Sequence, residues 1–112
     1  MKNFGMVLKY KIGYLELARE DVKDIKSYLS QFYPSTPVKF LSALKEQIGN
    51  LAENPYMYEA YDGNPSFRRM VASNYLVFYK VDDEKRTIAI HRVLHGSRDI
   101  SKYISSSGEG GL

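Results

Sequence analysis

The sequence predicts an α+β domain: an N-terminal strand, an antiparallel two-helix hairpin, a three-stranded antiparallel meander and a short C-terminal helix. Three observations predict it. Apolar residues alternate with polar ones near the N-terminus. Two runs with helical spacing follow, at 18–32 and 40–51. Three β-rich stretches then fill 67–94, separated by two turn-forming segments. A chain of 112 residues is one domain, expected over 1–104, with 105–112 as a disordered tail.

Each element has its own signal. Leu8, Tyr10, Ile12 and Tyr14 alternate with Lys9, Lys11 and Gly13, the period of a half-buried strand. Ala18, Val22, Ile25, Leu29 and Phe32 then fall at steps of four and three, one stripe of a helix, and Pro34 stops it. Thr36 is placed to cap a second helix, with Pro37 at its first position, where a missing N–H costs nothing. Phe40, Leu41, Leu44, Ile48 and Leu51 form its stripe, and Asn54-Pro55 ends it. The segment 55–66 has turn residues and three tyrosines but no period, and reads as a loop. Strands follow at 67–72, 75–81 and 86–94, joined by Ser73-Asn74 and by 82–85. A last helix over 97–104 has Ser97 as its cap.

Composition excludes several function classes. There is no cysteine, so neither disulfides nor thiolate chemistry are available. No apolar run approaches the roughly 20 residues of a membrane span. Lys9 and Lys11 interrupt the N-terminal apolar residues, unlike a signal peptide, so a cytoplasmic location is expected. There is no P-loop, no metal-ligand cluster and no hydrolase-like pair of acids, so no cofactor or metal is expected. A net charge of +3 permits an anionic partner without requiring one.

A two-residue turn at Ser73-Asn74 pairs Ala72 with Tyr75, Met70 with Val77, Arg69 with Phe78 and Arg68 with Tyr79. A four-residue turn at 82–85 pairs Val77 with Ile90 and Leu76 with His91. One face of the sheet then gathers Met70, Ala72, Val77, Ile88 and Ile90 for the helices. The other gathers Arg69, Leu76, Phe78, Ala89, His91, Val93 and, if the strand runs on past Leu94, His95, apolar in the middle with cations at the margin. That face, with Arg68, Arg92 and Arg98 near it, is the candidate partner-binding surface. Several of these residues also have plain structural readings. Arg68 beside Tyr79 and Arg92 opposite Tyr75 are cross-strand packing pairs, Arg98-Asp99 is a local ion pair at the last helix, and His91 fills its face.

The ordered combination of Arg68-Arg69, Ser73-Asn74, Tyr75, the apolar run 76–79, the charged turn 82–85 and the stretch 88–99 resembles the RelE/ParE superfamily of type II toxins, which includes plasmid stabilisation proteins. The resemblance covers about 8–104. It implies the fold above and a small cytoplasmic toxin neutralised by a cognate antitoxin, a small acidic protein. It also implies one of two targets: ParE-like members bind DNA gyrase, whereas RelE-like members enter the ribosome and cut messenger RNA without a metal. Such cleavage needs a base for the 2′-hydroxyl, positive charge at the phosphate and an acid for the leaving oxygen. The RelE-like branch places an arginine after the tyrosine that opens the middle strand, where this chain has Leu76. It places two cations at period two on the preceding strand, where this chain has Phe67 and Arg69. The remaining nuclease candidates are His95, Arg98 and Tyr103, with Arg69. The HGSRD ending, together with the RRMV…NYLVFY stretch, looks more like ParE-like and unassigned members of the superfamily than like well-marked nucleases. The preferred expectation is therefore a toxin that binds and inhibits gyrase, not an enzyme. An mRNA endonuclease is the alternative, and a non-toxic RNA- or protein-binding module is the third.

Overall fold

The computed structural model describes residues 9–32 and 35–104. Its centre is a mixed five-stranded sheet in the order β1-β5-β4-β3-β2. In chain order the elements are β1 (Lys11–Tyr14), α1 (Glu16–Leu29), α2 (Thr36–Gly49), a 3₁₀ turn (Asn50–Ala52), β2 (Ala60–Tyr61), β3 (Asn64–Ala72), β4 (Tyr75–Asp82), β5 (Thr87–His95) and a final 3₁₀ turn (Ile100–Lys102). β1 runs parallel to β5, and the other pairings are antiparallel. This is the expected α+β order with one strand added. β2 is two residues long, too short to show a period, and β3 begins at Asn64 rather than 67. Part of the expected loop at 55–66 is thus a sheet edge.

The helices follow their stripes with small displacements. α1 ends at Leu29, and the Ser30 hydroxyl donates back to the Lys26 carbonyl at 2.7 Å. Phe32, expected on the α1 stripe, lies beyond the helix, 56% exposed and edge-on to Tyr28. The expected stop at Pro34 lies outside the described residues, as do Leu8 and the tail 105–112. Thr36 is the first residue of α2 rather than its cap. Ser35 holds the cap position and makes no side-chain capping bond. Leu51, fully buried, belongs to the 3₁₀ turn after α2. The expected C-terminal helix is a single 3₁₀ turn, and Ser97 bonds His95 instead of capping it.

The β3–β4 register is the expected one, from Ala72 opposite Tyr75 to Arg68 opposite Tyr79. At its turn Ser73 takes a positive φ, 59°. Positive φ at the first turn position alone is the type II′ pattern. The β4–β5 register departs from expectation twice. The turn occupies 83–86, so Asp82 meets Thr87 and Tyr79 meets Ile90. A bulge between Phe78 and Tyr79 then sets Phe78 opposite Arg92 and leaves His91 as the extra residue. The first change shifts the ladder by two and preserves the faces. The bulge shifts it by one more and exchanges them. Val93 and His95 therefore join the helix side, and His95, not Arg92, stands opposite Tyr75.

Two cores result. The larger lies between helices and sheet, with Ala18, Ile25, Leu44, Ile48 and Leu51 against Met70, Val77, Tyr79, Ile88, Ile90 and Val93. The smaller lies on the opposite face, where Phe67, Phe78 and Leu94 pack with Ile104 and partly buried Ile100 and Tyr103. The apolar middle of the face expected to be open is thus covered in part by the chain's own C-terminal turn.

Candidate functional site

The bulge decides where the candidate side chains go. Arg69 and His91 lie on the outer face, away from the helices. The Arg69 guanidinium sits 5.9 Å from the Tyr61 ring centre, and the His91 ring meets Phe67 edge-on at 4.9 Å. Arg68 and His95 lie on the helix side. Arg68 stacks over Tyr56 at 4.6 Å and donates to the Tyr58 carbonyl at 2.6 Å. His95 meets Tyr75 edge-on at 5.2 Å. The expected gathering of Arg69 and both histidines on one face is therefore corrected: one extra residue in β5 separates them.

Arg92 is engaged from α1. β1 accompanies β5 only as far as Ile90. Beyond it the free edge of β5 meets α1, where Asp21 supplies the missing acceptor. Its carboxylate accepts from Arg92 Nε and Nη2, both at 2.8 Å, and from the Val93 N–H at 2.9 Å. Both side chains are mostly buried, at 17% and 11% exposure. The hydrogen bond to Asp21 raises the Arg92 pKa further into the cationic range. Arg92 also lies over the Tyr103 ring at 5.1 Å, and Arg98 Nη1 donates to the Tyr103 hydroxyl at 2.7 Å. Arg98 pairs with Tyr103 rather than with Asp99, as had been expected. Arg92–Asp21 and Lys9–Glu53 are ion pairs.

Between α1 and the end of β5 lies a cleft of about 400 Å³, lined by Asp24 and Tyr28 on one wall and by Arg92, His95, Ser97 and Arg98 on the other. His95 Nδ1 accepts the Ser97 backbone N–H at 3.1 Å, with the Ser97 hydroxyl at 2.7 Å. Because a backbone N–H can only donate, the neutral imidazole carries its proton on Nε2. The structure brings His95, Arg92, Arg98 and Tyr103 to one end of β5 and leaves Arg69 two strands away, roughly 10 Å at the usual strand spacing. The nuclease candidates thus do not form one constellation. On the outer face, burial and the nearby Lys80 ammonium hold the His91 pKa below its usual value.

One arrangement that the sequence reading missed holds the β4–β5 turn. Tyr10 and Tyr56 both donate to the Asp83 carboxylate. These bonds hold Asp83 below the usual carboxylate range and push Tyr56 up to about 12. Arg86 lies over the Tyr10 ring at 4.2 Å. The partners are 73 and 27 residues from Asp83 in sequence, so no local pattern announces them. Among the described residues no group of acids and histidines could hold a metal ion, and no helix is long and apolar enough to cross a membrane.

Comparison with known proteins agrees with this architecture. The family model described as the ParE toxin of the type II toxin-antitoxin system parDE matches residues 12–100. No curated protein sequence gives a significant match. Among solved structures, the chromosomal ParDE system from P. aeruginosa superposes with a TM-score of 0.67 at 15% identity, covering 78% of this chain and 96% of that one. The isolated E. coli RelE toxin gives 0.57 at 19% identity, covering 80% and 87%. The RelBE2 complex from Mycobacterium tuberculosis gives 0.57 at 20% identity, covering 79% and 92%. At these identities the likeness is one of fold.

Proposed function

Since the chain belongs to the ParE toxin family of type II toxin-antitoxin systems, we propose that it acts in the cytoplasm by binding and inhibiting DNA gyrase, and that an acidic antitoxin neutralises it. The observation that carries this reading over a nuclease is the separation of the candidate groups. RNA cleavage without a metal needs a base, an acid and positive charge around one phosphate. Here Arg69 lies on the outer face beside Tyr61, two strands away from His95, Arg98 and Tyr103, and the Arg98 guanidinium is already engaged by the Tyr103 hydroxyl. Groups tied into aromatic and ionic contacts suit a rigid binding surface.

The alternative, an mRNA endonuclease, is favoured by one observation: His95 and Arg98 line the same cleft, and Arg98 bonds Tyr103. Induction of the chain in bacteria separates the two. The gyrase reading expects DNA damage and failed supercoiling in a purified assay, with messages intact. The nuclease reading expects translation to stop first, cut messages, and relief by His95→Ala with the fold unchanged. No effect on growth would overturn both and leave a non-toxic binding module.

A further inference from the structure

On the outer face, two basic side chains converge on one aromatic ring without an acid between them. The Lys80 ammonium lies 4.6 Å from the centre of the Phe67 ring, and His91 meets the same ring edge-on at 4.9 Å. Neither makes an ion pair among the described residues. We propose that Lys80 and His91 form an anion-binding subsite on the outer face, filled by a carboxylate from an acidic protein segment, and that filling it favours the protonated form of His91. The proposal rests on the binding-type reading for the class of occupant.

The ground beside the pair suits a peptide backbone. Gly13 and Ala89 are neighbours across β1 and β5 on this face, and a Cβ added at Gly13 would meet nothing within 4 Å. On the other side of His91, a shallow groove is bordered by Leu15 and Leu17, 43% and 53% exposed, and by Ile104. An amphipathic segment could set apolar side chains there while placing a carboxylate between Lys80 and His91.

The charges around His91 select a protein segment over a nucleic acid. Lys80 and Asp82 approach from β4, and Glu84 and Lys85 from the following turn. Glu16 approaches from α1, Tyr103 from the C-terminal turn, and Arg92 from β5 with its charge offset by Asp21. Asp83 is held by Tyr10 and Tyr56. The acids of this rim disfavour a long run of phosphates, whereas a single carboxylate set against the Lys80 ammonium and His91 meets a direct counter-charge. The burial and the Lys80 field that hold His91 deprotonated would be opposed by that carboxylate, so binding and protonation are linked.

The test is a proton NMR titration of the His91 ring in the full chain, alone and with a leucine- and glutamate-containing peptide. The midpoint should rise when the peptide is present. Peptide affinity should be about fivefold higher near pH 5.5 than near pH 7.5. His91→Gln should abolish that pH dependence, and Lys80→Gln should weaken binding at both values. An unmoved midpoint at saturating peptide, or no peptide binding, overturns the proposal. So does a single-stranded oligonucleotide that moves the midpoint and displaces the peptide. The titration does not read toxicity, so its outcome is separate from that of the gyrase assay.

Discussion

Asp21 shows what a single carboxylate does here. It accepts from a guanidinium and from a strand-edge N–H, joining α1 to β5 across 71 and 72 residues of sequence. Its removal leaves Arg92 mostly buried without its counter-charge, so Asp21→Ala should destabilise by about 3 kcal/mol. Asp21→Asn keeps an acceptor for the Val93 N–H and should cost less; urea denaturation of the two variants measures the difference. A second residue-scale prediction concerns Ser73. A side chain at φ 59° is strained where glycine is not, so Ser73→Gly should raise stability by about 0.5 kcal/mol and Ser73→Val should lower it, both visible as shifts in Tm. Turn position was legible in the Ser-Asn pair, but which residue carries the left-handed conformation was not, because either accepts a turn. Asp21 was not legible at all. On the helical wheel it is one more charge on an outer face, and its partners appear only after β1 has ended short of Val93.

At the scale of elements, the stripes of α1 and α2 and the β3–β4 hairpin could be read directly, because each depends on local period or on one short turn. The β4–β5 ladder could not. Its turn is one residue later than 82–85, and the bulge at His91 has no glycine to mark it. A regular strand would put Val93 and His95 on the outer face; the bulge moves both to the helix side and parts His95 from Arg69 and His91. The short helix expected at 97–104 is a single 3₁₀ turn, and its work is to close the smaller core. Ile104 is 3% exposed against Phe67, Phe78 and Leu94. Ile104→Ala should cost about 2 kcal/mol, and Ile104→Asp more, with increased binding of an apolar dye to the uncovered cluster.

At the scale of the whole molecule, protons report on both faces at once. His91, on the outer face, has a folded-state pKa below the ordinary 6.5 because of burial and Lys80. Near and just below that ordinary value, the unfolded chain binds a proton that the native chain refuses, so stability falls as pH drops from neutral through this window. Asp83, at the turn clamped by Tyr10 and Tyr56, has a folded-state pKa below the usual 3.8. Its contribution is present above that value and is lost as pH falls through the carboxylate range. Urea midpoints measured across pH should therefore decline in two stages. His91→Gln should remove the first stage and leave the second, while Asp83→Asn should blunt the second and leave the first. The two groups have separate partners, Asp83 the hydroxyls of Tyr10 and Tyr56 and His91 the Phe67 ring, so their effects should add in the double variant. A first stage that survives His91→Gln would mean that the bulge does not hold this imidazole against Phe67 and Lys80, and the separation of the candidate groups would lose its physical basis.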